Sequence, residues 1–155
     1  MTGRLPKLIA FDLDYTLWGL WIDTHAAGPL RREGDTLNAV KDKYGEKIAF
    51  YHDVAEILHR LRAGGVIIAA CSRTHTPALA REALGLLLVP PPAGHKNSAP
   101  TPAIQFFDQH EIYPGEWTPY KTSSSGAFSF TSFQVQRLLI SRSSIRRREY
   151  RIPKW

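Results

Sequence analysis

The chain has 155 residues, 43% of them hydrophobic, with four Trp, seven Phe and six Tyr; that is enough to fill one domain's core and excludes wholesale disorder. Its formal charge is +6, yet residues 1–116 carry 12 basic and 13 acidic side chains, whereas residues 117–155 carry eight basic ones against Glu149 alone. The lone cysteine, Cys71, excludes an internal disulfide framework, and no apolar run reaches the ~18 residues of a membrane helix. Residues 1–7 lack the apolar stretch of a signal peptide, so a cytoplasmic, monomeric protein is expected. Segment 7–12 (KLIAFD) is a short apolar run ending in an acid, the pattern of a buried strand. Residues 15–30 are aromatic and irregular, punctuated by Gly19, Gly28 and Pro29, and read as a loop or flap. Asp53 stands where a helix N-cap belongs, Val54, Ile57, Leu58 and Leu61 follow at helical spacing, and Gly64-Gly65 stops the run. Segment 66–71 (VIIAAC) is a second buried strand. Thr76-Pro77 then opens a helix, with Thr76 as cap, Pro77 in the first turn, and Leu79, Ala83, Leu84 and Leu87 as its apolar stripe.

Strand, loop, helix, strand, helix is the βαβ grammar of an α/β, Rossmann-like parallel sheet with helices on its faces. Right-handed crossovers place the loops after Asp12 and Cys71 side by side at the carboxyl edge of that sheet. Residues 89–102 are proline-rich and polar and read as an exposed loop, and 104–107 as the start of a further strand or helix. From about residue 116 the grammar fails: 122–132 is Ser, Gly and Phe without periodicity, and 137–151 is a basic run. Two segments are therefore expected, a core over 1–115 and a basic tail over 116–155.

The sharpest chemical feature is Asp12-Leu13-Asp14-Tyr15-Thr16, where a buried strand meets a loop. Two carboxylates two residues apart in a loop can converge on one Mg²⁺ or one phosphate. The first could attack phosphorus, and the second could move protons to and from the leaving oxygen and water. An acidic pair that merely caps a strand end is the competing reading. A buried strand that delivers two carboxylates carries a desolvation cost, and function explains that cost better.

FDLDYTLW resembles motif I (hhhhDxDxT) of the haloacid dehalogenase superfamily, and the longer stretch FDLDYTLWGLWIDTH is similar to the magnesium-dependent phosphatase-1 family. Ala69-Ala70-Cys71-Ser72-Arg73-Thr74 resembles motif II with its SRT, and Phe107-Asp108 followed by Glu111-Ile112-Tyr113-Pro114-Gly115 resembles FDxxEIYPG. The resemblance spans about residues 5–115. It implies a haloacid dehalogenase-like fold with a minimal cap, Mg²⁺ as cofactor, and phosphorylated small molecules or phosphoproteins as substrates. Asp12 would be nucleophile and metal ligand, and Asp14 general acid/base, ligating the metal through its carbonyl. Leu13, Ser72 and Arg73 would bind the phosphoryl group and substrate. Trp18, Trp21, Asp23 and His25 fall in the flap, where the aromatics would exclude water or simply pack. Cys71 is expected to be a small buried strand residue without a redox role.

The chain departs from the family after residue 115. Motif III requires a Lys just after the IYPG turn, where Glu116-Trp117 stand and Lys121 is the nearest candidate. Motif IV requires an apolar strand ending in Asp-Asp, and no aspartate follows Asp108. The resemblance implies that this strand would lie beside the first, so its loss would leave the first strand with an open edge and Mg²⁺ short of oxygen ligands. Ile145-Arg146-Arg147-Arg148-Glu149 can be encoded ATT CGA CGA CGA GAG, which read one nucleotide later gives Phe-Asp-Asp-Glu. A frameshift or mis-spliced transcript is therefore the expected origin of the tail, with low activity for the chain as written. The alternative is an inactive fragment whose basic tail binds a polyanion such as RNA, although the run carries no nucleic-acid motif.

Overall fold

The computed structural model describes residues 5–92, 94 and 98–115. Lys121, the 122–132 stretch and the basic run lie outside the described residues. The elements in chain order are β1 (Leu8–Asp12), α1 (Ile22–His25), β2 (Arg31–Arg32), β3 (Val40–Lys41), β4 (Lys47–Ile48), α2 (Val54–Ala63), β5 (Ile67–Ser72), α3 (Pro77–Leu86), β6 (Leu88–Val89), β7 (Thr101–Pro102) and β8 (Gln109–Ile112), with a 3₁₀ turn at Ala103–Phe106 before β8.

The central sheet is parallel, in the order β1-β5-β8. Two crossovers that step in the same direction with the usual right-handed sense put α2 and α3 on one face. The core agrees. Leu58 and Leu61 of α2 and Ala80, Ala83 and Leu84 of α3 pack in one cluster with Ile68 and Ala70 of β5 and Ile112 of β8. These strand residues alternate with Ile67, Ala69 and Cys71, as a period of two requires. Each fully buried Leu or Ile in this cluster contributes about 1.5–3 kcal/mol over exposure. Ile67, on the opposite face, is 46% exposed.

β1 differs from β5 in burial. Leu8, Ile9, Ala10 and Phe11 are only half-buried, while Ile68, Ala69 and Ala70 are fully buried. Among the described residues no strand pairs with the second edge of β1.

Both long helices form where the periodicity puts them. Asp53 precedes α2, but its carboxylate makes no capping bond and instead meets the His52 ring at 2.7 Å. Asp53 itself sits in the helical region of the backbone, which turns its side chain away from the first amides. The Gly64-Gly65 stop holds, with Gly65 at φ +67°, a conformation glycine adopts at no steric cost. Pro77 opens α3 at its first turn as expected, and Thr76 likewise makes no side-chain cap.

The flap is more ordered than a loop. Leu17, Trp18, Leu20, Ile22 and Leu30 are buried in it, and α1 forms one turn within it. It leads into a small antiparallel sheet, β2-β3-β4, that the sequence reading did not contain. Asp42 closes this sheet, accepting bonds from the amides of Ala27, Tyr44 and Glu46 at 2.8–2.9 Å. The proline-rich stretch is likewise tied at both ends, by the β6-β7 ladder and by the His59 ring on the Pro90 carbonyl. No helix among the described residues is long and apolar enough to cross a membrane.

At the end of the sheet away from the carboxyl edge, Asp108 accepts bonds from the Ile68 amide at 2.9 Å and from Arg62 at 2.5 Å. The amide first, and the guanidinium second, hold its carboxyl below the usual carboxylate range. Its stabilisation is complete above that range and is lost as pH falls through the lowered value. Asp108→Ala should cost about 1–3 kcal/mol at neutral pH, toward the lower figure because the pair is partly solvated. Urea titrations should show the two proteins converging in acid; equal midpoints at neutral pH would contradict this.

Candidate active site

β1 and β5 are in register with Asp12 opposite Cys71, and β5 and β8 with Cys71 opposite Glu111. The pairing brings Asp12, at the end of β1, beside the residue that precedes Ser72. Asp12-Asp14 and Ser72-Arg73 therefore meet at the carboxyl edge, as the crossover argument requires.

Past β1 the chain turns sharply. Tyr15 adopts φ +54°, a left-handed conformation costly for a non-glycine residue and concentrated at functional sites. The turn closes by bonds from the amides of Thr16 and Leu17 to the Leu13 carbonyl. Leu13 itself is fully buried. Its side chain belongs to the core.

Asp12 is exposed at its tip, but burial of its surroundings lifts its pKa. The Leu13 amide and Thr16 hydroxyl pull it down, and the charge of Asp14 pushes it up. Asp14 is half-buried and its pKa is also raised, first by desolvation, against the lowering effect of Trp18 and the Ile22 amide. Both of those donors act on one oxygen: the Trp18 indole Nε1 donates to Oδ1 at 2.7 Å and the Ile22 amide at 3.2 Å.

The structure separates the two tryptophans. Trp18 is fully buried and stacked on Phe50, with centroids 6.1 Å apart. Trp21 is 55% exposed, lies flat on His25 and meets Tyr15 edge-on. Asp23 faces across the flap to the loop after β5, accepting from the His75 amide at 3.2 Å, with the His75 ring 3.4 Å away. That bond, ahead of the opposing effect of burial, lowers the Asp23 pKa.

Ser72 and Thr74 are both buried, and the Ser72 Oγ accepts from the Thr74 amide at 3.2 Å. Its hydroxyl proton therefore remains available as a donor. Arg73 makes no hydrogen bond within the described residues, and its Nε is buried without a partner. The guanidinium lies over the Tyr113 ring at 4.2 Å, and the Tyr113 amide donates to the Ser72 carbonyl at 3.2 Å. A guanidinium with a buried, unpaired N–H is costly unless an anion completes it. Burial, then the nearby Glu111 and Asp12 charges, push the Cys71 thiol up, opposed by Arg73. Cys71 is half-buried and stays a protonated thiol at neutral pH.

Sequence reasoning did not assign Tyr113, Ile22 or His75. Tyr113 stood inside a recognised motif but had no role there, and the other two act through backbone amides, which leave no residue-type signal. Among the described residues no group of three or more His, Cys, Asp or Glu is arranged to hold a metal ion.

The Acid Phosphatase family profile matches residues 4–125. A HAD-like hydrolase superfamily protein of Schizosaccharomyces pombe is 44% identical over 112 residues, covering 72% of this chain and 62% of that protein. Magnesium-dependent phosphatase 1 of Homo sapiens is 39% identical over 113 residues, 73% of this chain and 55% of that protein. The chain thus matches little more than half the length of these relatives.

Proposed function

The chain belongs to the acid phosphatase family, and on that premise we propose that it hydrolyses phosphate monoesters, with Mg²⁺, through an aspartyl phosphate on Asp12, slowly because no Lys directly follows the IYPG turn and no aspartate follows Asp108. The observation that carries this reading is the junction of Asp12-Asp14 with Ser72-Arg73 across the β1-β5 register. One strand end supplies a nucleophile and a proton carrier; the other supplies donors for a phosphoryl group.

An Asp12 oxygen bonds to phosphorus while the bond to the ester oxygen breaks, and Asp14 gives that oxygen its proton. Asp14 then takes a proton from the water that attacks the phosphoryl group, and Asp12 is regenerated as a carboxylate. Desolvation raises the Asp14 pKa, the direction that favours a group which must hold a proton and pass it on. Ser72 and Arg73 bind the phosphoryl oxygens, which gives the unpaired Arg73 Nε a reason to be there.

The donors present fit a hard cation. Mg²⁺ takes one or two carboxylates and completes its shell with waters and substrate phosphate. The Asp12 carboxylate and the Asp14 carbonyl would hold it, and bound Mg²⁺ would offset the charge between nucleophile and phosphate. With so few protein oxygens among the described residues, saturation is expected only at millimolar Mg²⁺. Small aryl phosphates are the first substrates to use, with phosphotyrosine-like and sugar phosphates next. Hydrolysis by the purified chain should rise with added Mg²⁺ and vanish in chelator; turnover indifferent to chelator would overturn the metal assignment.

A further inference from the structure

We infer that Trp18 is a positioning residue for Asp14: its buried indole N–H holds Oδ1 and so dedicates Oδ2 to proton transfer. The inference rests on the phosphatase reading of the site and adds to it a residue that acts through the general acid.

Three observations carry it. The Trp18 ring is fully buried, so its N–H cannot turn to water and must find a protein acceptor. The ring is also fixed: it stacks on Phe50 with planes 10° apart, and its backbone bridges to both Asp14 and Phe50. Finally, the indole and the Ile22 amide converge on the same carboxylate oxygen, at 2.7 and 3.2 Å. Oδ2 receives no hydrogen bond from the described residues. A carboxylate held through one oxygen has a fixed plane, and the proton it gives to the leaving oxygen departs from the other. Phe at position 18 would pack almost as well but would leave Asp14 held by a single amide, and proton transfer depends steeply on such alignment.

The test compares wild type with Trp18→Phe and with 3-benzothienylalanine at position 18, which keeps the ring shape and removes only the donor. Loss of alignment should slow hydrolysis of alkyl phosphates, whose leaving oxygen needs a proton, by about 10- to 100-fold. The first-turnover release of p-nitrophenolate from p-nitrophenyl phosphate, whose leaving group departs without a proton, should change less than about threefold, even where the later attack of water is slowed. An equal fall in alkyl phosphate hydrolysis and in first-turnover p-nitrophenolate release, or no fall in alkyl phosphate hydrolysis by the isosteric variant, overturns the inference.

If wild type hydrolyses neither ester, the phosphatase reading fails, and NMR still decides the positioning. The Trp18 indole N–H signal should move, and its exchange quicken about tenfold or more, in Asp14→Ala. An unmoved signal overturns the inference.

Discussion

Asp12→Asn should abolish Mg²⁺-dependent phosphate release, by at least about 10⁴-fold, because no other group at the carboxyl edge can replace the attacking oxygen. Asn cannot form an acyl phosphate, and burial holds the Cys71 thiol protonated. The same substitution should leave the protein folded and more resistant to denaturant at neutral pH. Desolvation raises the Asp12 pKa in the folded chain. A raised carboxyl contributes stability below its ordinary range and loses that contribution as pH rises through the folded value, so the ionised group is a burden at neutrality. Asn removes the burden. A variant that is inactive and destabilised would point instead to a structural Asp12, and one of undiminished activity would remove it as nucleophile.

Asp14→Asn should cost about 10²–10⁴-fold in turnover, the range for loss of a general acid and base. The loss should fall unevenly between the two halves of the reaction. A good leaving group departs without a proton, so p-nitrophenol is still released once as Asp12 becomes phosphorylated. The water that must follow has no base, so phosphorylated protein accumulates. Rapid-quench measurements should show a burst of about one p-nitrophenolate per protein followed by a slow phase. A slow first turnover with no burst would assign Asp14 to something other than proton transfer.

The parts of the fold that rest on long, periodic segments were legible in the sequence. The α2 and α3 stripes and the uncharged run of β5 each repeat their pattern several times, and the parallel pairing of β1 with β5 followed from the strand-helix-strand order. The β2-β3-β4 sheet was not legible, because its strands are two residues long and alternation cannot show itself in two positions. The absent caps at Asp53 and Thr76 depend on backbone angles, which residue type does not determine. At the site, the acidic pair and Ser72-Arg73 were visible as residue types at a strand end. What holds them was not: the Ile22 amide, the fixed Trp18 indole and the Tyr113 ring under Arg73 belong to a turn and to contacts distant in sequence. The +6 charge, which by itself points to nucleic acid, resides almost wholly beyond the residues that build this site.

The account stands on Asp12 as the atom that takes the phosphoryl group. Brief reaction with p-nitrophenyl phosphate and Mg²⁺, then borohydride reduction and peptide mass spectrometry, would convert an aspartyl phosphate to homoserine and locate it. The expected result is homoserine at position 12 alone, in larger yield in Asp14→Asn and absent in Asp12→Asn. Phosphate release with no modification at position 12, or modification at another acid, would contradict the account.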